Sequence, residues 1–375
     1  MSDLFRRAAV ALLLGLVSTC AQAQDAAPQD AWPSFRGDPL STGVSRSGLP
    51  EKLEVLWTFK AEDGDFESTA AIVNDVVYVG CLDGNLYALN LKDGSEKWRY
   101  KTEGGFKSSA AVRDGMVYIG DMDGVFHAVD AVTGKQKWVM KTDAEIISSP
   151  QFYKDRVIFG SYDQNLYCLN AADGKQVWKF ATEGPINCSP TIVNDRAFVA
   201  GCDSQLHVVD LEKGADASKV DIGSQAGATP AVVGDRLFVG TTSDTFYAID
   251  WMKPAIAWSY KDPDGAFPFH GSAAVAGDLA IVGSRSKRVY AFDQAKGTEV
   301  WRFQTGGRVD ASPVVVGERV FIASADGRIY GLDLKSGKKV WEYQAGGRFT
   351  ASPAVAAGRM VIGNDQGQLF CFGKK

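Results

Sequence analysis

The sequence is dominated by a unit of forty residues that recurs head to tail up to the C-terminus. Successive units open forty residues apart, except for an interval of forty-three between the fifth and the sixth, and each opens on a small residue. The opening positions are Ser68, Ser108, Ser148, Cys188, Ala228, Gly271, Ala311 and Ala351. A repeat of this length is one supersecondary unit that cannot bury its apolar surface alone, so each unit must pack on its neighbours.

Each unit has the pattern of four short antiparallel strands. In the second unit, the run 110–112 meets the run 116–119 across Arg113-Asp114-Gly115, a polar break typical of a β-hairpin turn. A glycine-containing loop leads to a third run at 125–129, and a second turn precedes a fourth run at 136–139. Four antiparallel strands in about forty residues form one blade of a β-propeller.

The two ends of the repeat array complement each other. The eighth unit stops after its third strand, at Phe372, whereas the segment from Leu53 to Phe59 is a strand with no hairpin partner in sequence. An N-terminal strand that completes the C-terminal blade closes the ring and removes two exposed sheet edges. The sequence therefore predicts an all-β, eight-bladed β-propeller over residues 51–375, and we expect a monomer.

The N-terminus has the pattern of an export signal. Arg6 and Arg7 precede an apolar run from Ala8 to Val17, and a small-residue cleavage site ends at Ala23. The run is too short to span a membrane. We therefore predict a signal peptide at 1–23 and a periplasmic or cell-envelope protein without a transmembrane segment, with a lipid anchor at Cys20 as the less favoured alternative. Residues 24–50 form a polar extension whose aromatic residues we expect to pack on the propeller.

Charge and cysteine content exclude two further classes. The formal net charge is −5, so the molecule as a whole lacks the net positive charge that is typical of nucleic-acid-binding proteins. Five cysteines remain after the predicted signal, which is odd and sparse for a disulfide scaffold. Cys188 and Cys202 lie on adjacent predicted strands. They could form a disulfide or remain two buried thiols, and we favour buried thiols.

A tryptophan near the end of most units carries a family resemblance. The stretch from Ala128 to Trp138 follows the pattern Ala-x-Asp-x-x-Thr-Gly-x-x-x-Trp and resembles the tryptophan-docking motif of the pyrroloquinoline-quinone-like propeller superfamily. The resemblance implies that these tryptophans lock blade to blade, and unit four, with Ser218 at this position, should have a weaker outer edge. The docking tryptophans are Trp57, Trp98, Trp138, Trp178, Trp258, Trp301 and Trp341.

Two kinds of member of this superfamily bear on function. Quinoprotein dehydrogenases hold pyrroloquinoline quinone (PQQ) and calcium over the propeller axis, whereas BamB-like envelope proteins are non-catalytic scaffolds. This chain lacks the vicinal cysteine pair, the calcium ligands and the long insertions of the dehydrogenases. We therefore predict a BamB-like scaffold that binds a protein partner in the cell envelope, with no catalytic residues, metal or cofactor. A PQQ-dependent oxidoreductase and a small-ligand-binding propeller are the alternatives.

Other residue types give no catalytic set. His127 and His207 occupy the strand position that tyrosine fills in most units, which favours packing roles. An aspartate recurs between the second and third strands, where a carboxylate usually caps a loop. No spacing indicates a zinc site. These aspartates are Asp83, Asp123, Asp163, Asp203 and Asp326.

Departures from the repeat concentrate on one face. The longest loop, Asp262 to His270, holds the three extra residues, and arginines collect in units six to eight. Aromatic and arginine side chains together are typical of a protein-binding or anion-binding surface, although a solvated charged rim is an equal reading. The candidate face comprises Phe267, Phe269, His270, Arg285, Arg288, Arg308, Asp310 and Arg348.

A set of polar residues directly precedes the predicted inner strands on this face. We expect their side chains to surround the mouth of the central channel, where they either select a small ligand or stay hydrated. The set comprises Glu67, Lys107, Asn187, His270, Asp310 and Thr350.

Overall fold

A computed structural model describes residues 30–375 of the chain. These residues form thirty-three β-strands and no helix. The strands are grouped into eight sheets that stand as blades around a central axis. The prediction of an eight-bladed propeller is confirmed. The signal peptide and the lipid-anchor alternative at Cys20 lie outside the described residues.

Seven blades are built from four consecutive strands each. The first four blades comprise β3 (Ala71–Val73), β4 (Val76–Gly80), β5 (Asn85–Asn90) and β6 (Glu96–Lys101); β7 (Ala111–Arg113), β8 (Met116–Gly120), β9 (Val125–Asp130) and β10 (Gln136–Lys141); β11 (Gln151–Tyr153), β12 (Arg156–Gly160), β13 (Asn165–Asn170) and β14 (Gln176–Ala181); and β15 (Thr191–Val193), β16 (Arg196–Ala200), β17 (Gln205–Asp210) and β18 (Ala215–Asp221).

The remaining blades complete the circle. They comprise β19 (Ala231–Val233), β20 (Arg236–Gly240), β21 (Thr245–Asp250) and β22 (Ala255–Lys261); β23 (Ala274–Ala276), β24 (Leu279–Ser284), β25 (Arg288–Asp293) and β26 (Glu299–Gln304); β27 (Val314–Val316), β28 (Arg319–Ala323), β29 (Arg328–Asp333) and β30 (Lys339–Gln344), with β1 (Val44–Ser45) added; and β31 (Ala354–Ala356), β32 (Arg359–Gly363) and β33 (Gln368–Gly373), with β2 (Glu54–Lys60).

The ring closes as the sequence predicted. Strand β2 pairs antiparallel with β33, with Trp57 opposite Cys371, and so supplies the outer strand of the eighth blade. The observed strand begins and ends one residue later than the predicted run. Because β2 and β33 belong to one sheet, opening the ring requires breaking backbone hydrogen bonds rather than side-chain contacts alone.

The core lies between neighbouring blades, because the second and third strands of each blade are buried on both faces. In β8, for example, four consecutive residues are buried. Apolar clusters accordingly join side chains of adjacent blades, as Leu86 of the first blade and Ile119 of the second do. The fourth strands alternate between exposed and partly buried residues, so the outer edge of each blade faces solvent.

The docking tryptophans tie each blade to the next. The indole N–H of Trp138 donates to the carbonyl of Ala171 at 3.1 Å, and its ring covers Gly174, where an added Cβ would approach the ring to 2.6 Å. The other six tryptophans donate in the same way, and Trp57 and Trp341 carry the pattern across the closure. The contact is repeated at seven blade interfaces and each one combines a hydrogen bond with ring packing.

The interface between the fourth and fifth blades is built differently. Ser218 replaces the docking tryptophan. Trp251, in the turn after β21, packs edge-on against Phe198 at 5.2 Å between ring centroids and donates to the carbonyl of Gly234 within its own blade. The indole of Trp251 fills apolar space but makes no interblade hydrogen bond. This interface therefore lacks the tryptophan hydrogen bond that the other seven interfaces share.

Residues 32–47, here called the strap, run around the inside of the channel. Backbone carbonyls of the strap accept hydrogen bonds from backbone N–H groups in the middle of the inner strands of six blades. The six blades are contacted in chain order around the ring. The third blade is reached through Gln151, whose side chain donates to Phe35, and the eighth through Ser45, which donates to Val355. The strap therefore touches every blade and closes the end of the channel near the turns between the first and second strands. The six acceptors are Trp32, Pro33, Pro39, Leu40, Thr42 and Gly43.

Candidate functional site

The strap turns the central channel into a blind cavity. The cavity has a volume of about 160 Å³, and Phe35 of the strap is one of its lining residues. It opens on the face that carries the segments leading into the inner strands, here called the open face. The mouth on this face therefore gives a ligand or partner access to the axis.

A ring of eight hydroxyl groups lines this cavity. At each ring position, the backbone N–H of one blade donates to the hydroxyl of the next blade; Ser109 N and Ser149 Oγ, for example, lie 3.0 Å apart. The bond from Ser352 N to Thr69 Oγ1, at 3.2 Å, closes the circle across the first and last blades. The hydroxyl ring comprises Thr69, Ser109, Ser149, Ser189, Thr229, Ser272, Ser312 and Ser352.

The sequence analysis missed this ring, although a signal for it exists. In every unit a serine or threonine directly follows the small opening residue, so hydroxyls recur at the same forty-residue spacing as the blades. The structure shows that the first small residue packs into the blade while the hydroxyl after it faces the channel.

The predicted mouth residues are brought together. Glu67, Lys107, Asn187, His270, Asp310 and Thr350 all line the cavity above the hydroxyl ring. Ile147 and Gly227 complete the circle of eight, one residue from each blade. Lys107 and Glu67 form an ion pair at 3.5 Å, so two adjacent blades contribute opposite charges to one side of the mouth.

Two of the candidate arginines share one carboxylate on the other side of the mouth. Arg285 Nε lies 2.7 Å and Arg308 Nε 2.9 Å from the oxygens of Asp310, whose side chain is largely buried. His270 stands beside this cluster. Burial and the neighbouring Arg285 and Arg308 lower the pKa of His270 from its usual value, which favours the neutral imidazole.

The remaining candidate arginines are also paired. Arg288 contacts the buried Asp262 at 3.3 Å and also Asp264. Arg348 bonds Asp365 at 2.7 Å, but its side chain remains 66% exposed. The arginines of the open face are thus held in place by carboxylates, and Arg348 is the most exposed of them.

The structure separates the two phenylalanines of the longest loop. Phe267 is 38% exposed on the open face, but Phe269 is fully buried among Phe246, Tyr260 and Tyr290. The expectation that Phe269 belongs to the exposed surface is therefore wrong. Phe269 occupies the position that Phe66, Phe106 and Phe349 fill in other blades, where the side chain plugs the gap between neighbouring sheets.

The histidines and recurring aspartates have structural contacts. His127 bonds Asp121 at 2.8 Å, and His207 bonds both Asp203 and Asp216. Asp83 and Asp163 accept a backbone N–H of their own loop and the hydroxyl of the tyrosine on the third strand. Among residues 30–375, no group of histidine, cysteine and carboxylate side chains could hold a metal ion.

All five cysteines of the described segment are free thiols, including Cys188 and Cys202. Burial raises the pKa of Cys168 and Cys371 to about 12, so both remain protonated and unreactive at neutral pH. The same cause raises the pKa of Cys188, which lies fully buried beside the carbonyl of Ala226. The two thiols are not bridged, as favoured from the sequence, but only Cys188 is fully buried, whereas Cys202 is partly exposed.

The fold and the blind channel define a PQQ-like β-propeller. A family model described as outer membrane protein assembly factor BamB matches residues 50–161, 146–217 and 261–373. These segments cover most of the chain, and the protein belongs to this family. Within residues 30–375 there is no helix long and apolar enough to cross a membrane.

Solved structures share the fold at low sequence identity. BamB from Moraxella catarrhalis is 18% identical, with a TM-score of 0.74 over 86% of this chain and 100% of that chain. The quinohemoprotein alcohol dehydrogenase from Comamonas testosteroni is 16% identical, with a TM-score of 0.78 over 92% and 81%. A computationally designed protein, Ika8, is 14% identical, with a TM-score of 0.75 over 86% and 100%. No curated protein matches the sequence significantly.

Proposed function

We propose that the protein is a non-catalytic scaffold of the cell envelope that binds a protein partner through its open face. The observation that carries the proposal is the loop Asp262–His270, which breaks the repeat and exposes Phe267 beside the channel mouth. An aromatic anchor bordered by arginines is a common centre of protein–protein binding energy. The family description, an outer-membrane assembly factor, supports the same reading and an exported location.

The size and lining of the cavity support a scaffold function that does not use a quinone cofactor. A volume of about 160 Å³ falls below the roughly 300–1,000 Å³ of typical cofactor pockets. More than half of its lining residues carry hydroxyl groups, and Phe35 of the strap also lines it. The small volume and the hydroxyl-rich wall therefore favour a scaffold over a PQQ-dependent dehydrogenase, although dehydrogenases share the fold.

The partner proposal is tested by binding to isolated outer-membrane assembly components, with matched substitutions on the two faces. Phe267→Ala and Arg348→Glu should each weaken binding by about tenfold if the open face carries the contact. Val132→Ala and Lys335→Glu remove an exposed apolar and an exposed basic side chain on the opposite face, and they should leave binding unchanged. Equal effects from both pairs would refute the assignment to the open face.

The oxidoreductase alternative is tested separately by calorimetric titration with PQQ and calcium, each in the presence and absence of the other. The scaffold proposal expects no binding heat at high cofactor concentration. One-to-one binding at micromolar concentration or tighter, about 8 kcal/mol, would overturn the cofactor-free reading.

A further inference from the structure

We infer that the hydroxyl ring of the blind channel is a binding site for a small oxyanion, such as inorganic phosphate, sulfate or a small carboxylate. This inference does not depend on the protein partner, because it concerns the channel wall beneath the open face. It follows from the hydrogen-bond count at the ring, from a buried cation beside it and from the volume of the cavity.

The ring hydroxyls accept hydrogen bonds from the protein but donate none to it. Each of the eight oxygens accepts one backbone N–H, at 2.9–3.2 Å. Within the part of the chain that the structure describes, none of the eight donates its own hydrogen to a protein acceptor. A hydroxyl has one hydrogen to donate, and a buried hydroxyl needs an acceptor for it. Eight O–H donors therefore surround the cavity without acceptors in the protein.

These donors are buried rather than hydrated at the surface. All eight residues are between 3% and 5% exposed. Thr350 adds a further hydroxyl above the ring, whose oxygen is buried and has no partner among the described residues. An occupant that only accepts hydrogen bonds matches this wall, and an oxyanion is such a group.

A buried cation lies directly behind the ring, although it does not itself line the cavity. Arg36 follows Phe35 in the strap and is 1% exposed. Its Nη2 donates to the carbonyls of Ala273 at 2.9 Å and Pro313 at 2.7 Å, the residues directly after Ser272 and Ser312 of the ring. Among residues 30–375, Nε and Nη1 find no hydrogen-bond partner. A buried guanidinium with unpaired donors is costly, and an anion nearby lowers that cost.

The other charges around the cavity do not cancel this preference. Burial lowers the pKa of Arg36 to about 9, so the guanidinium is still charged at pH 7. The strap carboxyl of Asp38 accepts from Thr42 and forms no hydrogen bond with Arg36. Its charge attracts the guanidinium, but burial raises the pKa of Asp38 and so opposes its ionisation. At the mouth, Glu67 is paired with Lys107, while Asp310 is paired with Arg285 and Arg308. The cavity thus favours a small negative ion over a cation.

Calorimetric titration of the folded protein with sodium phosphate, sodium sulfate and sodium succinate tests the inference, with sodium chloride at matched ionic strength as the control. Binding of phosphate or sulfate assigns an inorganic oxyanion, and binding of succinate alone assigns a carboxylate. Absence of binding by all three at about 10 mM, or equal heats from chloride, would overturn the inference.

Two adjacent serines provide a matched pair of variants. Ser148 and Ser149 each accept one backbone N–H at 3.0 Å, and both are buried, but only Ser149 lines the cavity. Ser149→Ala should weaken oxyanion binding by about tenfold, because a hydrogen bond to a charged group is lost, whereas Ser148→Ala should not change it. Equal affinities for the two variants would count against the ring.

Direct location of the ion in the unaltered protein guards against variants that fail to fold. Crystals grown in selenate should show anomalous signal on the propeller axis at the level of the hydroxyl ring. Signal elsewhere, or water alone in the cavity, would refute the site.

Discussion

At the scale of single residues, the close approach of neighbouring blades depends on the glycine that ends the second strand. A Cβ added at Gly120 would lie 2.2 Å from Ile146 of the next blade, and one at Gly160 would lie 2.2 Å from Ile186. In the fourth blade the glycine is replaced by Ala200, and the facing residue shrinks to Ala226. At this interface the smaller facing residue leaves room for the extra methyl group.

We predict that Gly120→Ala destabilises the protein by about 1–3 kcal/mol, because the new methyl group overpacks the interface with Ile146. The free energy of unfolding from urea denaturation measures the effect. Gly48→Ala, at a position with no neighbouring atom within 4 Å, is the control and should change stability by less than about 0.5 kcal/mol. In the double variant Gly120→Ala with Ile146→Ala, the loss should be smaller than the sum of the single losses.

The lowered pKa of His270 predicts a pH dependence of stability. Burial beside Arg285 and Arg308 lowers the pKa in the folded protein, so the unfolded chain binds the proton more readily. Stability from this group is present above the unfolded pKa of about 6.5 and is lost as the pH falls toward the folded value. The wild type should therefore lose more stability between pH 7.5 and 5.5 than His270→Gln, by urea denaturation. Parallel pH profiles for the two proteins would contradict the assignment.

At the scale of strands and blades, the fourth blade is the place where the interblade lock is missing. Strand β18 carries Ser218 where β10 carries Trp138. Local opening of a strand is easiest where its buried contacts are fewest.

We predict that the backbone amides of β18 exchange with solvent about five- to tenfold faster than those of β10, a difference equal to one hydrogen bond of about 1 kcal/mol. Hydrogen exchange followed by mass spectrometry resolves peptides from the two strands. The outer strand β14, which retains Trp178, should behave like β10. If β18 is as protected as both, Trp251 compensates for the missing lock.

At the scale of the whole molecule, the strap and the closing strand make different contributions. The strap hydrogen-bonds all eight blades from within, whereas β2 supplies the outer strand of the last blade. Loss of the strap exposes the channel but keeps the ring closed. Loss of β2 leaves β33 as an unpaired edge, which favours pairing between chains.

We predict that a protein lacking residues 30–47 remains monomeric but unfolds at a lower urea concentration than the wild type. A protein lacking residues 30–60 should form oligomers and lose its single cooperative transition, because both the strap and the closing strand are absent. Light scattering after size-exclusion chromatography distinguishes the two outcomes. A monomeric, cooperatively unfolding form of the longer deletion would show that closure is dispensable.

The sequence by itself determined the architecture. The forty-residue period, the turn residues and the unfinished eighth unit specify blade number, strand order and closure, because these depend on patterns within one unit or on a count of units. The recurring tryptophan predicted the interblade contact for the same reason. The mouth residues were also foreseen, since equivalent positions in a closed ring must meet around the axis.

Only the tertiary structure decided what the site is. Arg36 reaches Pro313 across 277 positions of sequence, and the strap crosses eight blades in sixteen residues, which no local pattern indicates. The pairing of Arg285 and Arg308 on Asp310, the burial of Phe269 and the circuit of ring hydroxyls depend on which neighbouring atoms lie within reach. A side chain's exposure and partners are set by the packing of distant segments, so the repeat predicted where the site lies but not which of its groups are free to bind.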